Sequence, residues 1–99
     1  MKQTFAVTFA HGPGWDATRP VRQQDYWDDH AAFIDGLFDS GFIRITGPFP
    51  DDAGSLIIVE ADSGDEVRQT FAADPWAPRG ILLLERVRRW EIFLDRHAG

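Results

Sequence analysis

Residues 20–41, PVRQQDYWDDHAAFIDGLFDSG, predict the first helix of a small α+β domain. Counted at helical spacing, one side of this segment is apolar. The stripe comprises Trp27, His30, Ile34, Leu37, Phe38 and Gly41, with Tyr26 and Phe33 at its flanks. Pro20 suits a first helical position, and Gly41 can take the left-handed conformation that ends a helix. The unusual member is His30, a titratable side chain in a stripe that should face a sheet.

Patterns on both sides of this helix predict the order strand, helix, strand, strand, helix, strand. Alternating or β-branched residues predict strands at 2–10, 42–46, 55–61 and 81–94. The run SLIIVEA at 55–61 is almost continuously apolar, which indicates a central strand covered on both faces. A turn connection is predicted at 49–54. The short second helix should be capped by Asp62 or Ser63 and end before Asp74-Pro75.

The last extended segment contains a change of phase. Leu82 and Leu84 share parity with Arg86 and Arg88, so one regular strand would place arginines on its apolar face. A bulge or break between positions 85 and 88 accounts for this change. The arginines can bind an anion or simply lie on an exposed strand face.

The order of elements is that of a ferredoxin-like βαββαβ domain, an antiparallel sheet with two helices on one face. Ninety-nine residues are enough for one core and too few for two, so residues 1–99 are predicted to form a single domain. The other sheet face must also be covered, and a chain of this length has no third layer. The sequence therefore predicts a homodimer formed through the sheet face.

Composition excludes several classes of protein. A hydrophobic content of 43% with four tryptophans indicates a packed domain. The chain has no cysteine, which excludes disulfides and catalytic thiols and fits a reducing cytoplasm. No apolar run reaches membrane-spanning length, and the first residues lack the apolar core of a signal peptide. The net charge of −6 argues against a nucleic-acid partner.

Two polar residues are candidates for acid–base chemistry. Histidine takes and returns a proton near neutral pH, and a carboxylate bonded to its second ring nitrogen would hold its tautomer. His30 and Asp74 would form such a pair if the two helices lie side by side. By residue type alone, His30 can equally be a hydrogen-bonded core residue, and Asp74 can be a helix-ending residue before proline.

Aromatic and basic residues suggest a ligand site near this pair. Trp15, Trp27 and Trp76 can line a slot for a planar ligand, or can pack in the core or an interface. Trp15 lies on a Gly-Pro-Gly loop and is the best candidate for a lid. Arg19 and Arg22 can bind a ligand carboxylate or phenolate, or can be solvated.

Metal and phosphate chemistry have little support in the sequence. His11, His30 and Asp74 are metal ligands by residue type, yet no HxxxH or HxH spacing accompanies them. The glycines do not open helices as a phosphate cradle requires, and no serine nucleophile elbow is present. We therefore predict neither a metal nor a cofactor.

Four ordered motifs resemble the YciI-like (YCII-related) family over nearly the whole chain. They are WxxHxxFxxxLxxxGF at 27–42, GPFPDDxGSLIIVEA at 47–61, AADPW at 72–76 and RRW at 88–90. The loop GPGWDATRPVRQQ at 12–24 is similar to that of a branch with a tryptophan-bearing first loop. The resemblance implies a subunit of the dimeric α+β barrel type that dimerises sheet on sheet.

The resemblance also implies an active site made of a histidine on the first helix and the aspartate of the DP motif. In this chain these are His30 and Asp74. The turn Gly47-Pro48 and the start of the following strand also match, so Ser55 becomes a possible polar contact. Most of this family is uncharacterised, and the known activity among relatives is dehydrochlorination of a chlorinated hydroxyquinol.

The leading hypothesis is a small cofactor-independent enzyme. His30 would act as general acid or base, oriented by Asp74, in a proton abstraction with elimination or isomerisation on a small aromatic or enolisable substrate. The predicted ligand contacts are Trp15, Arg19, Ser55 and Trp76. The alternative is a non-catalytic protein that binds a small ligand or serves as an accessory subunit. A third, structural interpretation predicts no pocket beside His30.

Overall fold

An antiparallel sheet carries the structure, a computed structural model that describes residues 1–51 and 54–97. Within these residues the elements are β1 (Gln3–His11), α1 (Trp27–Asp39), β2 (Ile43–Pro48), β3 (Ser55–Ala61), α2 (Gly64–Ala72) and β4 (Leu82–Arg89). The strand order is β2-β3-β1-β4, with antiparallel pairing at each step. The predicted ferredoxin-like βαββαβ fold is confirmed, and β3 is a central strand as expected.

The core lies between the sheet and the helices. Phe5, Val7 and Phe9 of β1 are buried there, because alternate side chains of a strand point to opposite faces. Its members are Phe5, Val7, Phe9, Ile43, Ile57, Val59, Ala61, Val67 and Phe71. A T-shaped contact between Phe9 and Phe71, with centroids 5.2 Å apart, ties α2 to β1.

The opposite side of the sheet, called here the open sheet face, is only partly covered. Strand register places on it Ala6, Thr8, Ala10, Ile45, Leu56, Ile58, Leu83, Arg86 and Arg88. Ile45 is 63% exposed and Leu83 is 45% exposed. Both residues lie on edge strands, β2 and β4, whereas Ile58 of the central strand β3 is only 4% exposed. The apolar side chains that face outward therefore lie toward the two edges of this face.

The first helix begins later than predicted, at Trp27 rather than Pro20. Pro20 instead precedes a 3₁₀ turn, Val21–Gln23. Two of the next three residues cannot join a helix: Gln24 is extended, and Tyr26 has a left-handed backbone with φ of 61°. The predicted end is confirmed, since Gly41 has φ of +88°.

The predicted bulge in the last strand is confirmed. Thr8 pairs with Arg86 and Phe9 pairs with Leu84, so Glu85 is the extra residue. The register shift returns Val87 to the helix side of the sheet, where it packs on the core.

The last strand ends at Arg89, and the prediction that it extends to residue 94 was wrong. The Trp90 N–H still bonds to the carbonyl of Thr4 at 2.8 Å. Farther on, Asp95 forms an ion pair with Arg44 of β2, the strand at the opposite edge. The final segment therefore crosses the end of the sheet instead of lengthening it.

The second helix begins with a reciprocal cap. Ser63 Oγ accepts the Glu66 N–H at 3.1 Å, and Glu66 Oε1 accepts the Asp62 N–H at 2.7 Å. Ser63 is thus the capping residue of the two predicted candidates. The helix ends at Ala72, before Asp74.

Close backbone approach explains a glycine at the start of β3. Gly54 has φ of +115°, and an added Cβ would lie 1.9 Å from the carbonyl oxygen of Phe9. The Phe49 N–H also bonds to the Gly54 carbonyl at 2.8 Å, which closes the predicted connection. Positions 52 and 53 of that connection lie outside the described residues.

We predict that Gly54→Ala destabilises the protein by about 3 kcal/mol or more, because it combines backbone strain with a clash. Gly41→Ala is the matched control, since its φ is also positive but nothing lies within 4 Å of the added Cβ. Its cost should be about 1–2 kcal/mol. Urea unfolding of the three proteins measures the difference, and equal losses would contradict the importance of the Gly54–Phe9 approach.

Candidate active site

A cavity of about 760 Å³ lies between α1, the end of α2 and one end of the sheet. The loop before α1, residues 15–24, borders the mouth of the cavity and is called here the rim. The predicted site residues all line this cavity: His30, Asp74, Trp15, Arg19, Ser55 and Trp76. The structure thus brings them to one place, while their roles in binding and catalysis stay predictions.

His30 and Asp74 form a hydrogen-bonded pair in the cavity wall. His30 Nδ1 lies 2.8 Å from Asp74 Oδ2, and the two side chains are 12% and 10% exposed. Asp74 Oδ1 accepts the backbone N–H of Trp76 at 2.9 Å. Because a carboxylate can only accept, the neutral imidazole carries its hydrogen on Nδ1, and Nε2 keeps a lone pair.

Local backbone structure positions both members of this pair. His30 lies in the first turn of α1, where its N–H bonds to the Tyr26 carbonyl at 3.0 Å. Asp74 lies just past α2, and its N–H bonds to the Phe71 carbonyl at 3.1 Å. The start of one helix and the end of the other therefore meet at the site.

Trp76 fixes the plane of the imidazole. The two rings stack with centroids 3.7 Å apart and an interplanar angle of 5°. Trp76 is 1% exposed, and its Nε1–H donates to the carbonyl of Asp25 at 2.7 Å. Packing and hydrogen bonds therefore hold Trp76, which in turn restricts rotation of the His30 ring.

The second nitrogen of His30 remains available to a ligand. In the described part of the chain, no side chain or backbone group bonds to Nε2, and no buried polar side-chain atom lacks a partner. Nε2 is therefore accessible, and the cavity that His30 lines is where a ligand can reach it. This atom can exchange a proton with a bound molecule.

Trp15 forms a half-buried wall of the cavity rather than an exposed lid. Its ring stacks on His11 with centroids 3.7 Å apart and meets Trp76 edge-on at 6.2 Å. The loop before it is fastened by the Gly14 N–H, which bonds to the Gly80 carbonyl at 2.9 Å. The aromatic wall is therefore preformed.

Gln24 organises the rim, and no sequence signal marked it as important. It is only 4% exposed. Its Oε1 accepts the Asp16 N–H at 2.8 Å, and its Nε2 donates to the carbonyls of Asp16 and Arg19 at 2.7 and 2.9 Å. A glutamine in a polar loop is ordinarily solvated, so these bonds were not foreseeable from residue type.

Charged pairs complete the rim. Arg19 bonds to Asp16 at 3.0 Å and to Asp25 at 3.2 Å. The hydroxyl and N–H of Thr18, together with Arg19, hold the pKa of Asp16 below its usual value. The hydrogen bond from Arg19 to Asp25, with a further contribution from Asp16, raises the pKa of the guanidinium.

Comparison with known proteins assigns the chain to a family. Residues 14–91 match the YCII-related domain. The chain belongs to the YCII-related family. Among relatives of this YCII-related protein, the uncharacterized protein YjpA of Bacillus subtilis (strain 168) is 30% identical over 69 residues, which are 70% of this chain and 80% of YjpA.

A solved structure shares the fold of this YCII-related protein. It is 5-chloro-2-hydroxyhydroquinone dehydrochlorinase (TftG) from Burkholderia phenoliruptrix AC1100, in complex with 2,5-dihydroxybenzoquinone. The similarity has a TM-score of 0.60 at 28% identity and covers 89% of this chain and 93% of TftG. The family resemblance inferred from sequence motifs is confirmed.

Two other features concern metals and membranes. Within residues 1–51 and 54–97, no group of three or more histidine, cysteine or acidic side chains is arranged to hold a metal ion. No helix in that part of the chain is long and apolar enough to cross a bilayer. The cytoplasmic location stays a prediction from sequence.

We predict that Asp74→Asn moves the hydrogen of the neutral His30 ring from Nδ1 to Nε2. The Trp76 N–H holds the amide oxygen, so the amide NH₂ group faces Nδ1, which must then accept. Long-range proton–nitrogen NMR correlations distinguish the two tautomers. Signals of His97, in the exposed final segment, are the internal control. An unchanged tautomer in the variant would contradict the described geometry.

Proposed function

We propose that this YCII-related protein is a cofactor-independent enzyme in which His30 performs general acid–base catalysis. The observation that carries the proposal is the 2.8 Å contact between His30 Nδ1 and Asp74 Oδ2 beside an accessible Nε2. Asp74 keeps the lone pair on Nε2 and stabilises the imidazolium that forms when Nε2 takes a proton. The reaction class is proton abstraction followed by elimination or isomerisation.

The walls of the cavity favour a small planar substrate. Trp15 and Trp76 present rigid aromatic surfaces, while Ser55 and Arg19 supply polar contacts. A cavity of about 760 Å³ is of the size that holds a small molecule. The quinone in the TftG complex supports an aromatic or quinonoid substrate class for this chain as well.

An elimination balances with the residues of this chain alone. Nε2 of His30 takes a proton from one ring hydroxyl and returns it to the ring carbon that bears the leaving group, which gives a keto tautomer. Nε2 then takes the proton of a second, conjugated hydroxyl, and the electron pair released forms a second carbonyl. The leaving group departs with its bonding pair, so the substrate loses the elements of an acid HX. The imidazolium then returns its proton to water, and the histidine is regenerated.

We predict that His30→Gln lowers kcat by about a hundredfold or more, because it removes the proton acceptor. The assay follows chloride release from 5-chloro-2-hydroxyhydroquinone, and tryptophan fluorescence follows binding of 2,5-dihydroxybenzoquinone. Binding should persist in the variant, since glutamine keeps polar atoms near the position of Nε2. His97→Gln is the matched control outside the cavity.

Two results would oppose the catalytic role. Unchanged turnover in His30→Gln would remove His30 from the mechanism. Binding by the natural protein with no turnover across a panel of chlorinated and hydroxylated aromatics would favour the alternative, a non-catalytic ligand-binding or accessory protein.

The proposed working form is a homodimer through the open sheet face. The exposed side chains of Ile45 and Leu83 support it, because apolar side chains of this size on one face of a sheet are normally covered. The dimeric α+β barrel arrangement implied by the family resemblance would cover it with the same face of a second copy.

We predict that the double variant Ile45→Lys/Leu83→Lys is monomeric, because it places two charges within the proposed contact. Light scattering after size-exclusion chromatography should give about twice 11.2 kDa for the natural chain and 11.2 kDa for the variant. Phe38→Lys, an equally exposed apolar position on α1, should remain dimeric. A monomeric natural chain would refute the dimer.

A further inference from the structure

The ionisable side chains of the described cavity wall differ in their partners. They are His11, Arg19, Arg22, His30 and Asp74. Both oxygens of Asp74 are engaged within the protein. The guanidinium of Arg19 is engaged by two carboxylates. Across residues 1–51 and 54–97, no ion pair or hydrogen bond engages the side chain of Arg22.

The backbone that carries Arg22 is nevertheless fixed. Arg22 is the middle residue of the turn Val21–Gln23, in which the Gln23 N–H bonds to the Pro20 carbonyl at 3.0 Å. The next residue, Gln24, is the buried side chain that ties the rim together. The positively charged side chain of Arg22 is therefore exposed to solvent, on a part of the rim whose backbone is held by hydrogen bonds.

The charge of the whole protein makes this local cation important. A net charge of −6 produces a field that disfavours anionic ligands. With Arg19 neutralised by its partners, attraction of an anion into the cavity depends on Arg22. A guanidinium binds a carboxylate through two parallel hydrogen bonds, which gives orientation as well as charge recognition.

We propose that Arg22 determines substrate specificity by binding the acidic group of an aromatic monoanion at the cavity mouth. The ring of the ligand then lies along the aromatic wall, with a hydroxyl directed to Nε2 of His30. The substrate class is thus a hydroxylated aromatic carboxylate, or an equivalent ring oxyanion. This inference rests on the proposed function in so far as the ligand must also reach His30.

The test compares 2,5-dihydroxybenzoate with 2,5-dihydroxybenzamide, which share ring hydroxyls and differ in charge. Isothermal titration calorimetry at low salt should show tighter binding of the benzoate by the natural protein. Arg22→Gln should weaken binding of the benzoate by about ten- to a hundredfold, as expected for the loss of hydrogen bonds to a charged group. The affinity for the benzamide should be unchanged. Arg22→Lys should restore part of the loss. Arg96→Gln, which removes an arginine outside the cavity, is the control.

Each outcome separates this inference from the acid–base proposal. An unchanged benzoate affinity in Arg22→Gln, or an equal loss for both ligands, overturns the role of Arg22 and leaves the function of His30 standing. A selective loss for the benzoate, combined with full turnover in His30→Gln, supports the anion site and overturns the acid–base proposal. Failure of the natural protein to bind the benzoate overturns the role of Arg22, while the acid–base proposal is decided by chloride release.

Discussion

The buried carboxylate of Asp74 has two donors, and the geometry of the cavity depends on how its oxygens are divided between them. One oxygen holds the imidazole of His30, and the other holds the backbone of Trp76. Burying a carboxylate destabilises the folded state unless its oxygens are hydrogen-bonded. Neither contact of Asp74 can therefore be lost without a free-energy cost. This division fixes the tautomer of His30 and places the indole of Trp76 against the imidazole. It also joins the end of α2 to the start of α1.

The two helices use their apolar faces differently, and this difference creates the cavity. α2 buries Val67 and Phe71 fully against the sheet, whereas α1 has no fully buried residue within its length. Trp27 and Ile34 of α1 border empty space instead of closing it. Some apolar burial that would stabilise the fold is thereby given up at the first half of α1. Such incomplete packing is expected where a site must admit a ligand.

Sequence patterns predicted the features that depend on local periodicity. The order of elements, the bulge at Glu85 and the helix end at Gly41 all arise from short-range preferences. The family motifs selected His30 and Asp74, although residue type alone left each of them ambiguous. The late start of α1 was not predictable in this way, because the side chain of Gln24 bonds to backbone groups five and eight residues earlier, and residue type does not reveal these bonds.

The site consists of two units that meet at one residue. The His30–Asp74 pair is held by the helix ends and Trp76, while the rim is held by Gln24 and its bonds to the loop. Asp25 connects them, since its carbonyl accepts from Trp76 and its carboxylate pairs with Arg19. Under the proposed function, substitutions in the rim would therefore change which ligand binds without disturbing the His30–Asp74 pair. This separation of recognition from chemistry offers a physical reason why one small fold can accommodate different substrates.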